Sequence, residues 1–172
     1  MAFTAGYWAL GALKPDIIAY LGCDMIYPSE KKTPSHFYGN GQADPLRSDI
    51  TLQSLEAKSV RLMALAQINN CSIVNLSKLP ESRLLFPRTS ITKLLKKNDK
   101  KKSLYSQDLK LDSRYIKRAL DLEGELAYMV PSGKYWESSV EFDQFKLSEI
   151  DSLWLKSASK LNEKTVILIL IT

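Results

Sequence analysis

The chain has 172 residues, 45% apolar and 25% charged, the balance of an ordinary soluble globular protein with enough length for one domain and a real core. Its formal charge of +5 is regional: residues 93–118 carry ten Lys/Arg against three Asp, a local +7, which leaves about −2 elsewhere. Such an excess concerns a surface or a partner and not the whole fold.

Residues 2–13 place Phe3, Tyr7, Leu10 and Leu13 at helical spacing, and Lys14-Pro15 stops that helix. Residues 16–27 (DIIAYLGCDMIY) form a continuous apolar run, which predicts a strand covered on both faces. After the loop 34–47 (PSHFYGNGQADPLR), Ser48 or Asp49 is expected to cap a helix reaching about Asn69, with Leu52, Leu55, Leu62 and Ala66 as its buried stripe. Residues 71–77 (CSIVNLS) read as a second buried strand, and the irregular segment 78–88 (KLPESRLLFPR) as a return to the sheet edge. Helix and strand alternating twice argue for a parallel sheet.

Composition then changes. Residues 93–102 hold six lysines and read as a solvated linker. Leu111, Tyr115, Ala119, Leu122 and Leu126 mark a third helix; Leu147, Ile150, Trp154, Ala158 and Leu161 mark a fourth. The expected organisation is an α/β unit over 1–90, a basic linker over 91–110, and a helical segment over 111–172 that packs on the sheet or caps a pocket. The apolar tail 165–172 (TVILILIT) is far shorter than the roughly 20 residues of a membrane span and reads as a strand or an unnatural chain end. With no basic leader before Phe3, and with Cys23 and Cys71 each isolated in an apolar run, the chain is read as soluble and cytoplasmic with two buried thiols.

Ligands of parallel sheets bind beyond the carboxyl ends of the strands, so Asp24, Tyr27 and the loop 34–47 fall where a ligand belongs. Gly22 permits close approach of backbone or ligand. Asp24 can accept hydrogen bonds from hydroxyls, or cap the next turn; Tyr27 can pack. His36, the only histidine, suits proton transfer near neutral pH, or serves a turn. Tyr38-Gly-Asn-Gly41 is a turn signal and lacks the spacing of a phosphate loop. Arg47 stands to pair with an anionic ligand, or with Asp49 or Glu56. One histidine, no thiol pair and no close carboxylate cluster make a poor metal site.

The order AGYWALGALKP, IIAYLGCDMIY, SHFYG, SLEAKSVRLMALA, CSIVNLS and PES resembles the C-terminal half of the nucleotide-binding domain of bacterial α-2,3/2,8-sialyltransferases, over about residues 5–82. A related Rossmann-like family linked to pterin pyrophosphokinases and flagellin glycosylation has a similar G-x-D…H-x-x-G arrangement. The resemblance implies a Rossmann-like parallel sheet with flanking helices, incomplete at its N-terminal side, and inverting, metal-independent transfer from a CMP-activated sialic acid to a glycan hydroxyl. No cofactor is implied beyond the CMP-sugar donor. On that resemblance His36 is the general base, Tyr27 steadies the departing phosphate, and Asp24 orders the ligand or its loop. Tyr38 is a second candidate by proximity alone, since SEKKTP disturbs the spacing of the family's second tyrosine. The glycine-rich turn that holds the nucleotide has no counterpart, and residues 89–172 do not align. The chain is therefore expected to be a fragment, inactive alone, or to be completed by another copy or a partner chain. The alternative reading is a non-catalytic ligand-binding or interaction domain on the same scaffold. The lysine run adds a contact with an anionic membrane face as an open partner; it lacks the interleaved aromatics of a nucleic-acid surface.

Overall fold

A computed structural model describes residues 2–26, 54–96, 111–126 and 143–161. Helix α1 (Ala2–Trp8) continues through a π-helical turn (Ala9–Leu13) and ends at Lys14, which adopts left-handed backbone with φ of 47° before Pro15. Strand β1 (Ile17–Tyr20), helix α2 (Leu55–Ile68) and strand β2 (Ser72–Asn75) follow. Then come α3 (Ile91–Lys96), α4 (Ser113–Leu126) and α5 (Gln144–Ser157).

The result is a mixed α/β protein. Strands β1 and β2 are parallel, Ile17 opposite Ser72 and Tyr20 opposite Asn75. Beyond β2, a parallel bridge joins Asn75 to Arg88: the Asn75 N–H donates to Pro87 at 2.8 Å, and the Thr89 N–H returns to Asn75 at 3.0 Å. The segment 78–88 thus does return to the sheet edge, and β2 is central. All four β2 residues are buried, as expected of residues 71–77 read as a second buried strand. The same expectation does not hold for β1. Ile17 and Ala19 are exposed and only Tyr20 is fully buried, because among the described residues nothing covers the 17/19 face or pairs with the outer edge.

Helices α1 and α2 lie together beside the sheet. Gly6 lets α1 approach closely: a Cβ there would collide with the Tyr20 hydroxyl and with Leu62 Cδ2. The Tyr20 hydroxyl donates to the Ala2 carbonyl at 3.2 Å, its ring stacks at a tilt on Phe86 with centroids 5.0 Å apart, and burial pushes its pKa up to about 12. Ser54 caps α2 through its side chain, later in the chain than the Ser48 or Asp49 cap expected. Leu62 and Ala66 are buried as the helical spacing requires; Leu55 is half-buried and Leu52 lies outside the described residues.

The C-terminal helices pack on α2, with α5 against it and α4 against α5. Ala119, Leu122, Leu147, Ile150, Trp154 and Ala158 are buried as their periodicity predicts, while Tyr115, Leu126 and Leu161 pack at the margin. Glu123 of α4 joins three elements: Arg61 of α2 grips it through Nε at 2.8 Å and Nη2 at 2.9 Å, and the Trp154 indole N–H donates to it at 2.9 Å. Arg61 also lies over the Tyr7 ring, 5.3 Å from its centroid, so α1 joins the same knot. Helix α3 forms from residues 91–96, inside the range expected to be linker. Cys71 is buried and Cys23 half-buried, both as free thiols.

Candidate functional site

After β1 the chain must turn back over the end of the sheet. Gly22, at φ of 70°, and Met25, at φ of 58°, take the left-handed conformations that do this. Between them Asp24, 6% exposed, is carried to the carboxyl end of β2. The Asn75 side-chain amide donates to Asp24 Oδ1 at 3.2 Å, and the Ser77 hydroxyl donates to Oδ2 at 2.5 Å. The same Asn75 amide reaches Ser82 Oγ at 3.2 Å, and its Oδ1 accepts the Ser77 N–H at 2.8 Å. The Asp24 carbonyl accepts the Arg83 N–H at 2.9 Å. Burial opposes the Asp24 charge, but the bonds from Ser77, Asn75 and Ser82 and the field of Arg88 outweigh it, so the carboxyl stays below its ordinary range.

This cluster sits at the carboxyl ends of two parallel strands, where α/β sheets take ligands. Its effect is to fix the loop 76–88. Arg88 closes the loop from the other side, donating to the carbonyls of Ser77 (3.5 Å), Leu79 and Pro80 (3.2 Å). Arg83 clamps the loop to the first turn of α2 through a two-pronged pair with Glu56 at 2.6 and 2.9 Å, which holds the Glu56 carboxyl below its usual range against the effect of burial. Ser59 adds a third tie, accepting the Leu85 N–H at 3.0 Å.

Of the residues singled out in the sequence, the structure thus places Asp24, as a buried carboxylate that orders a loop with both oxygens engaged. Glu56, one partner considered for Arg47, is taken by Arg83. Tyr27, His36, Tyr38 and Arg47 lie outside the described residues. Sequence reasoning missed Asn75, Ser77, Ser82 and Arg88. One signal was available, since Asn75 and Ser77 are polar residues at, and just beyond, the carboxyl end of a buried strand.

A second polar feature lies on α5. Asp151 Oδ2 accepts the Ser54 N–H at 2.6 Å, adding to the cap of α2, while its buried Oδ1 has no partner. Burial pushes this carboxyl up, against the Ser54 bond and Lys58. Beside it runs an open groove of about 540 Å³ along Ser148, Asp151, Ser152, Leu155, Lys156 and Ser159. It holds no histidine or thiol. Among the described residues no group of three His, Cys, Asp or Glu could hold a metal ion, and no helix is long and apolar enough to cross a membrane.

The fold and site define a mixed α/β protein with a polar cluster at the carboxyl end of a parallel strand pair. Comparison with family models, with curated proteins and with solved structures finds no match.

Proposed function

We propose that the chain is a Rossmann-like, glycosyltransferase-type domain that takes a CMP-activated sialic acid, or a similar nucleotide sugar, at the carboxyl ends of β1 and β2. The observation that carries the reading is the Asp24 cluster. A buried carboxylate, two residues before Ile26 in the chain and held by Asn75 and Ser77, fixes the loop 76–88 at the carboxyl end of β2. In this reading His36 removes the proton of an acceptor hydroxyl. The acceptor oxygen then bonds to the anomeric carbon as the bond from that carbon to the phosphate oxygen breaks. The configuration inverts, CMP departs with the electron pair, and Tyr27 donates a hydrogen bond to the leaving phosphate. Tyr38 and Arg47 are the further substrate-binding candidates, and Asp24 acts through the loop it orders.

A non-catalytic ligand-binding domain is the second reading, favoured by the fact that both Asp24 oxygens are already bonded within the protein. Release of CMP from CMP-sialic acid, with and without a glycan acceptor, separates the two. Acceptor-dependent release that His36→Ala abolishes, with the fold intact, supports transfer; full activity in His36→Ala removes the general-base assignment. Nucleotide binding without release leaves the binding domain.

A further inference from the structure

We propose that the loop 77–82 (SKLPES) is a phosphate-binding loop, its donors being the backbone amides of Lys78 and Glu81 and the Lys78 ammonium. The inference gives the nucleotide-sugar reading its phosphate subsite, and rests on that reading for the ligand's identity but not for the anion chemistry.

Arg88 draws the carbonyls of Ser77, Leu79 and Pro80 to one guanidinium. In a trans peptide the N–H of the next residue points opposite to the carbonyl. The Ser77 and Pro80 carbonyls therefore turn the Lys78 and Glu81 N–H groups away from Arg88; the Leu79 carbonyl precedes Pro80, which has no N–H. Most of the neighbouring amides are spent, the Ser82 N–H being the exception, with no acceptor among the described residues. Ser77 donates to Asn75 Oδ1 at 2.8 Å, Leu79 to Ser77 Oγ at 3.2 Å, Arg83 to the Asp24 carbonyl at 2.9 Å, and Leu84 to Ser82 Oγ at 3.2 Å. The Lys78 and Glu81 amides have no acceptor among the described residues, and both residues are exposed.

The local charge agrees. Lys78 and Arg88 contribute two cations, and the Asp24 charge is absorbed by Asn75, Ser77 and Ser82. The carboxylate of Glu81 is the one opposing group on the loop. Free amides beside a cation are the donors that a tetrahedral oxyanion takes, and the loop lies at the strand ends where α/β folds hold phosphates. Three of the loop's carbonyls, those of Ser77, Leu79 and Pro80, are turned to Arg88 and away from an approaching anion. Phosphate, free or carried by a nucleotide, is the matching chemistry.

The test is amide NMR of the labelled full chain, titrated first with inorganic phosphate and then with CMP, with sodium chloride at matched ionic strength as control. The Lys78 and Glu81 amides are expected to shift saturably with phosphate and not with chloride. Lys78→Ala weakens the response roughly tenfold, as loss of a charge-assisted contact does, and Glu81→Gln strengthens it. Arg88→Gln frees the carbonyls and abolishes the response; should that variant fail to fold, Lys78→Ala and Glu81→Gln, both at exposed positions, still decide the matter. Tighter CMP shifts at the same two amides identify the nucleotide as the source. Phosphate shifts without CMP shifts keep the loop as a free-phosphate site and remove the nucleotide-sugar reading. No saturable shift with phosphate, or equal shifts with chloride, overturns the loop.

Discussion

Replacing Asp24 by asparagine removes one charge and almost no volume, so it isolates what the carboxylate does. The wild-type group accepts from Asn75 through Oδ1 at 3.2 Å and from Ser77 through Oδ2 at 2.5 Å. An asparagine amide can satisfy one of these donors as before. Its own NH2 then faces Ser77 Oγ, which can accept it while also accepting the Leu79 N–H, but the Ser77 hydroxyl proton loses its acceptor. The alternative flip sets two NH2 groups against each other at Asn75 and is worse. The net loss is one charge-assisted bond plus one buried donor, about 2 kcal/mol, or a fall in Tm of about 4–8 °C for a chain of this size. Since the folded carboxyl titrates below its unfolded value of about 3.9, this stability is fully present above pH ~4 and is lost as pH falls through the folded pKa. Urea titrations of wild type and Asp24→Asn should therefore show a constant gap between pH 5 and 8, closing below pH ~4, with the same m-value. An Asp24→Asn variant as stable as wild type at pH 7, or a gap unchanged at pH 3, would refute the role assigned to the cluster.

Gly6→Ala should cost about 1–3 kcal/mol in urea melts, because the new methyl meets the Tyr20 hydroxyl and Leu62 where α1 crosses β1 and α2. Gly124→Ala, with open space around it, should cost nothing. Glu123→Gln should destabilise by about 2 kcal/mol, less than a fully buried pair because Arg61 keeps 27% of its side chain exposed; thermal melts check this. For Asp151 the sign reverses. Its carboxyl is raised, so the folded state gains protons between the unfolded value of about 3.9 and the higher folded value, and stability falls as pH rises through that window. Asp151→Asn keeps an acceptor for the Ser54 N–H and should melt higher than wild type at pH 7, with the advantage shrinking toward pH 4.

The helices of the C-terminal part were legible because their apolar stripes repeat at helical spacing and nothing else fits, from Leu111 through Leu126 and from Leu147 through Leu161. The β2 strand was legible for the same local reason. The exposure of Ile17 and Ala19 was not, since a run of apolar residues records only that a strand wants cover and not whether the described fold supplies it. The cap at Ser54 competed with nearer-looking candidates, and its second partner, Asp151, lies 97 residues away. The Asp24 cluster joins residues 51 and 53 positions apart through Asn75 and Ser77, so the polar residues at the end of β2 mark the spot locally but no local pattern names Asp24 as their partner. Of the cluster's members the motif spacing pointed to Asp24 alone, and the segment 78–88 was legible as a return to the sheet edge but not as the loop that Asp24 orders.

Calorimetric titration of the full chain with CMP and with CMP-sialic acid tests the proposed function most directly. Saturable binding of both is expected, weakened or lost in the Tyr27→Phe/His36→Ala double variant while the fold persists. A folded chain that binds neither ligand, or binds both equally well after those substitutions, would contradict it.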